Sequence, residues 1–322
     1  LRLLAQDIHF SQFNASLLNI SPGYTGMFDG DYRLGAAYRS QWQSVPVSYS
    51  TFSMAGEKRF KPITLEKDMV GIGLVFNNDQ AGDASYRSSQ LYLSGSYIIL
   101  AKPDSSLLFS FGANVGWYSV SFNYGAMTFD SQFDGLAYNG NLSSGENFNR
   151  TKRNFVDFSF GSVVQYIHRA KHRFSYGLGI HHLSSPVITY QGNDFSRLDY
   201  KFTNFLSYNT PLNEKVDVLA EALITLQGKN SELIPHISLK YFTNRGENQA
   251  IHTGLCYRTK DAVVARLGYQ YRTLQSGISY DINISKFNAA TNLRGGFEIF
   301  VNYVIKVKPA FIAKKRYCPV FM

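Results

Sequence analysis

Residues 262–272 read Ala-Val-Val-Ala-Arg-Leu-Gly-Tyr-Gln-Tyr-Arg, and the alternation in this stretch decides the fold. Val263, Ala265, Leu267, Tyr269 and Tyr271 fall on one face of an extended chain, and Arg266, Gly268, Gln270 and Arg272 fall on the other. Successive strand side chains point to opposite faces, so one face is apolar and the other wet. The neighbours repeat the pattern. Leu274, Ile278, Tyr280 and Ile282 oppose Gln275, Gly277, Ser279, Asp281 and Asn283, and Phe297, Ile299, Val301, Tyr303 and Ile305 oppose Glu298, Asn302 and Lys306. Segments of about ten residues are the length a tilted strand needs to cross a bilayer.

Working outward, the same reading predicts strands near 31–40, 47–56, 68–79, 86–100, 106–119, 154–168, 173–182 and 197–209. Six more follow, near 215–226, 233–243, 249–257, 261–271, 274–283 and 295–306. The expectation is an all-β, transmembrane, antiparallel up-and-down β-barrel of about 14 strands. Four regions are expected: 1–5 as a signal-peptide remnant, 6–30 as a periplasmic or lumen-plugging segment, 31–306 as the barrel, and 307–322 as a basic periplasmic tail. Short connections at 102–105, 169–172, 210–214, 244–248 and 272–273 read as periplasmic turns, with 57–67 longer than its class. The long stretches 120–153, 183–196 and 284–294 read as external loops, and both termini are expected in the periplasm. Pro235, inside a predicted strand, asks for an edge, a strand end or a bulge.

Composition agrees. Of 322 residues 44% are hydrophobic and only 17% charged, with 22 tyrosines and 25 phenylalanines. That is poor in charge for a water-facing surface. No run approaches the ~18 apolar residues of a spanning helix. A soluble β-sandwich is the rival, but its strands average about five or six residues and hide their apolar face. Tyr86, Tyr118, Phe155, Tyr166, Tyr208 and Tyr257 stand near strand ends, where interfacial girdles sit.

The net charge of +9 is scattered, apart from Lys306, Lys308, Lys314, Lys315 and Arg316, and no basic helix or RNA-binding consensus is present, so nucleic acid is not the expected partner. Cys256 and Cys318 are too few for a disulfide scaffold and neither has a CxxC partner. His181 and His182 should face opposite ways on a strand and so not share a metal. His168 and His172 flank a turn. No serine lies in a GxSxG elbow, and residues 77–83 lack the terminal Glu of a calcium loop and read as an external turn. The expectation is therefore no catalytic, cofactor-binding or metal site, and no enzyme. Asp217, Glu221, Asp281 and Glu298 on the wet faces either pair with Arg33, Arg39, Arg266 and Arg294 across the lumen or line a selective pore.

Two stretches go further. Gln6-Asp7-Ile8-His9-Phe10-Ser11-Gln12-Phe13, with Ser21-Pro22-Gly23-Tyr24-Thr25-Gly26 and Tyr38-Arg39-Ser40-Gln41-Trp42, resembles the start of mature PorP/SprF family proteins. The run at 280–287, Arg294-Gly-Gly-Phe-Glu298 and Cys318-Pro319 resembles that family's end, with Val320 where Arg is common after Cys-Pro and Cys256 where an aromatic is more usual. The resemblance implies an outer-membrane barrel of the Bacteroidota type IX secretion and gliding machinery that assists export or surface retention of a cargo, especially a large adhesin with a type B C-terminal sorting domain. It also implies periplasmic contact with secretion-system lipoproteins or a peptidoglycan-binding adaptor. His9, Phe10, Ser11, Gln12 and Phe13 are the candidate plug of the lower lumen or a partner contact. Lys314, Lys315, Arg316, Cys318 and Pro319 are the candidate periplasmic contact, to an acidic partner or to lipid headgroups. A passive pore for a small solute is the alternative.

Overall fold

The computed structural model describes residues 7–41, 49–82, 86–102, 106–146, 148, 150–169, 171–190, 196–285 and 294–307. Fourteen strands close into one antiparallel barrel in which each strand pairs with its neighbours in sequence and β1 pairs with β14. They are β1 (Tyr32–Gln41), β2 (Tyr49–Phe60), β3 (Met69–Ala81), β4 (Tyr86–Leu100), β5 (Leu107–Ser121), β6 (Lys152–His168) and β7 (His172–His181), then β8 (Lys201–Pro211), β9 (Val216–Gln227), β10 (Asn230–Asn244), β11 (Gln249–Arg258), β12 (Ala262–Tyr271), β13 (Leu274–Asn283) and β14 (Arg294–Ile305). Every strand expected from alternation is present. Closure leaves no unpaired edge, which a hydrocarbon environment requires.

The outer wall carries the apolar face. Leu267, Tyr269, Tyr271, Ile278, Tyr280, Phe297, Ile299 and Tyr303 are all exposed, as their alternation requires. Pro235 is paired with Ala222 on β9, while the ladder to β11 begins one residue later at His236, so the missing N–H interrupts only one side. The girdle expectation holds for Tyr166, Tyr208 and Tyr257, which face out, but not for Tyr86, Tyr118 and Phe155, which face in. Tyr118 is buried in the lumen, stacked on Phe155 at 4.9 Å and hydrogen-bonded to Tyr92 through the hydroxyls at 2.7 Å. Its phenol is satisfied there.

The connections divide between two mouths. At one, 61–68, 101–106, 169–171, 212–215, 245–248 and 272–273 are short; at the other lie 122–151 and 182–200, beside two tight hairpins at 228–229 and 259–261. The connection expected at 57–67 is 61–68, because β2 continues to Phe60. Asn77, Asn78, Asp79 and Gln80 belong to β3, not to a turn: Asn77 faces inward and is buried.

Residues 7–26 lie inside the barrel, and 27–30 lead out to its mouth. Three 3-10 turns, Phe13–Ala15, Leu17–Asn19 and Pro22–Tyr24, follow one another, the last with Pro at its first position and the Ser21 hydroxyl accepting from the Gly23 N–H. The segment runs lengthways from Asp7, beside the top of β7 and β8, to Asp31, whose N–H bonds to Ile305 at the bottom of β14. Asp7 and Val307 are therefore at opposite mouths; the chain ends themselves, to which the expectation of a shared periplasmic side applies, lie outside the described residues.

Candidate functional site in the barrel lumen

A small-solute pore needs an open path through the wet side of the wall, and in this barrel that side is occupied. Two kinds of contact hold the occupying segment. One is close packing on wall glycines, from Gly179 near the long-connection mouth to Gly71 near the short-turn one. The inward faces of β3, β5, β6 and β7 carry Gly71, Gly112, Gly161, Gly177 and Gly179, and a Cβ at Gly112 would lie 2.2 Å from the Pro22 carbonyl oxygen, one at Gly179 2.3 Å from the Ile20 oxygen. Only glycine permits backbone to approach the wall this closely. Polar wall groups satisfy the segment's own backbone: Thr203 Oγ1 and His181 Nε2 donate to Ile20 O (2.5 and 3.0 Å), Ser96 Oγ donates to Thr25 O (2.6 Å), and Gly26 N–H donates to Glu57 (3.0 Å), which Arg33 holds at 2.6 Å. Phe13, Ile20 and Tyr24 fill the remaining space against Val163, Phe205, Leu223, Ile234, Cys256 and Val264.

The second kind of contact is ionic and lies toward the long-connection mouth. Glu298 accepts the N–H groups of Ser11 (2.9 Å) and Gln12 (2.8 Å), Asp281 accepts the Ser11 hydroxyl (3.0 Å), and Arg39 donates to His9 O (2.7 Å). Asp281 in turn joins Arg39 at 3.0 Å and Arg258 at 2.9 Å, all three side chains about 2% exposed. Arg258 also pairs with Asp261, and Phe10 packs on Ala37 and Phe300. Deeper, Asn14 bridges Glu221 (2.8 Å) and Arg266 (2.6 Å).

The final latch is Asp7, which Lys201 holds at 2.9 Å and His182 at 3.5 Å, His182 also bonding Asp157 at 2.7 Å. Burial disfavours the Asp7 carboxylate, but Lys201 and then His182 outweigh it and hold the group well below the usual carboxylate range. Burial likewise opposes the His182 imidazolium, and its hydrogen bond to Asp157 and its close approach to the Asp7 carboxylate overcome this, raising it to about 9.

Residues His9, Phe10, Ser11, Gln12 and Phe13 thus sit at the long-connection mouth, not in the lower lumen. The reason is that the segment crosses the whole lumen, and Arg39, Arg258, Asp281 and Glu298 cluster where their strands meet that mouth. Lys314, Lys315, Arg316, Cys318 and Pro319, with Lys308, lie outside the described residues; Lys306 pairs with Asp29 at 2.5 Å. The lumen acids are paired as one of the two readings required: Asp281 and Glu298 take Arg39 as expected, and the other partners are changed. Glu221 meets His236 at 2.9 Å, Asp217 meets Arg245 at 2.7 Å, and Arg33 takes Glu57. The side chain of Arg294 is not described.

Opposite faces for His181 and His182 do not hold: His182 has φ +64°, a left-handed turn at the strand end that brings both rings into the buried interior. They have separate partners, and among the described residues no group of three His, Cys, Asp or Glu is arranged for a metal. Sequence reasoning missed Asp7, Lys201, Asp157 and Arg258; the last three were signalled by their place on the wet face near strand ends, whereas Asp7 precedes the first strand.

The fold is similar to that of three solved outer-membrane proteins. The Ralstonia pickettii toluene transporter TbuX aligns with a TM-score of 0.56 and 11% identity over 90% of this chain and 92% of that one. A Pseudomonas aeruginosa FadL homologue gives 0.55, also at 11% identity, over 90% and 94%. The toluene transporter TodX of P. putida gives 0.52 at 10% identity over 91% and 95%. At such identity the likeness concerns the fold alone. No curated protein matches the sequence. The family model described as type IX secretion system membrane protein PorP/SprF matches residues 3–303, close to the entire chain. With its fourteen-strand wall built to the outer-membrane pattern, the chain belongs to the PorP/SprF family of type IX secretion system membrane proteins.

Proposed function

We propose that this barrel is a non-enzymatic accessory of the type IX secretion and gliding machinery that assists export or surface anchoring of one cargo, a large adhesin with a type B C-terminal sorting domain. The long-connection mouth faces outward, as external loops are the longer ones in such barrels, and the short-turn mouth with the 307–322 tail faces the periplasm. There the tail meets secretion-system lipoproteins, a peptidoglycan-binding adaptor or lipid headgroups.

The single observation that carries this reading is the occupied lumen. Residues 7–26 touch the wall on every side, and the cavities beside them are small: about 60 Å³ next to Asp7, His9, Phe13, Lys201 and Glu232, and about 20 Å³ next to Ser16, Arg33 and Glu57, room for a few waters. A passive pore needs a passage, whereas an anchor needs a rigid wall and an outer surface. Purification from native outer membranes separates the two. A large secreted protein recovered with the barrel supports the anchor; a barrel recovered alone that conducts steadily in a planar bilayer supports the pore.

A further inference from the structure

The connection 122–151 is long but not shapeless. Phe133 and Tyr138 pair across a four-residue reversal in which Asp134 N–H bonds to Ala137 O at 3.1 Å. The Asp134 carboxylate accepts the N–H groups of Leu136 (2.9 Å) and Ala137 (2.8 Å), and Gly135 supplies the φ of +99° the reversal needs. Gln132 braces the base, accepting from Phe129 N–H at 3.2 Å and donating to Leu142 O at 3.2 Å. Phe122 then packs on Tyr190 at 4.9 Å, tying this connection to the neighbouring one at 182–200.

This scaffold holds up three large apolar side chains with no cover. Leu136 is 94% exposed, Phe133 57% and Tyr138 53%. Unlike the equally exposed residues of the outer wall, they stand beyond the strand ends and outside the hydrocarbon layer. Apolar groups clustered on a pre-organised turn give up little conformational freedom on binding, which is how interface anchors are built. The charge around them selects the occupant: residues 122–149 carry Asp130, Asp134 and Glu146 and no Lys or Arg, the bases Arg150, Lys152 and Arg153 following only where the chain returns to β6. An acidic tip is repelled by the phosphate-rich outer leaflet and suits an apolar pocket with a basic rim.

We infer that the 133–138 hairpin is a docking finger whose Phe133, Leu136 and Tyr138 enter an apolar, basic-rimmed pocket of the exported protein. This rests on the function proposed above and names the contact through which the cargo is held.

The test combines a cross-link with a variant in intact cells. Leu136 is replaced by photoreactive p-benzoylphenylalanine, with the same replacement at Lys229 as a control on the same mouth. The expected result is one identified surface protein cross-linked from 136 and not from 229. In F133S/L136S/Y138S that protein should shift from the cell surface to the medium at least tenfold, while the barrel keeps its normal amount and heat-modifiable migration. Unchanged retention in the triple variant would overturn the finger and leave the anchor standing. Cross-links only to lipopolysaccharide, or only to a second copy of this chain, would also overturn it. If the wild-type barrel retains no secreted protein, the functional reading fails and the finger with it.

Discussion

Gly112 on β5 and Pro22 in the lumen segment lie backbone against backbone: a Cβ at 112 would come within 2.2 Å of the Pro22 oxygen and 2.4 Å of its carbonyl carbon. The inner wall is shaped to its own N-terminal segment. Gly112→Val must displace that segment, at a cost of about 1–3 kcal/mol from overpacking, with faster hydrogen exchange at residues 20–26. Gly56→Ala on the outer face, where the nearest atom is the Leu34 side chain at 3.5 Å, should change neither.

Asp281 is the shared partner of Arg39, Arg258 and Ser11. Removing it leaves two buried guanidinium groups short of counter-charge. Asp281→Ala should destabilise the barrel by about 3–5 kcal/mol, read as a lower urea midpoint for folding in lipid vesicles. A loss below about 1 kcal/mol would mean that water already compensates these charges.

The Asp7 latch should weaken on the alkaline side. His182 is raised from 6.5 to about 9 in the folded protein, so its contribution is complete below pH 6.5 and is lost as pH rises through about 9. Asp7 is held below its ordinary 3.8, so its share is complete above that value and is lost only as pH falls through the depressed one. Exchange protection factors at residues 7–13 should therefore be highest between these limits and fall from pH 6.5 to 9.5, while those at 20–26 stay level. His182→Gln should abolish the alkaline fall.

The wall was legible because its signal is local. Leu267, Tyr269 and Tyr271 must face lipid whatever the rest of the chain does, so period-two alternation locates strands without any knowledge of partners. The lumen was legible only in outline, as a segment 6–30 that could plug it and acids that could pair across it; its contacts were not, because an inward Gly112 or Gly161 reads as a weak strand residue until the segment against it is known. Asp7 illustrates the same limit: it meets Lys201, 194 residues away, and no spacing rule connects them. For His181 and His182 the alternation rule misled, since one left-handed φ at His182 reverses the face on which its ring lies.

Sidedness is open to direct labelling. Lys229 and Lys215 sit in hairpins at opposite mouths and both are exposed. In a Cys318→Ser background, a membrane-impermeant maleimide added to intact cells should label Lys229→Cys and leave Lys215→Cys unlabelled until the outer membrane is permeabilised. The reverse pattern would turn the barrel over and place the 133–138 hairpin in the periplasm.

The occupied lumen is what separates a secretion accessory from a pore, and ionic current reads it most directly. The purified full-length barrel, inserted in a planar bilayer at pH 6.5, should show no steady open-channel conductance, and Gly112→Val should introduce intermittent openings. A stable, ohmic conductance from the wild-type protein would contradict a lumen filled by residues 7–26.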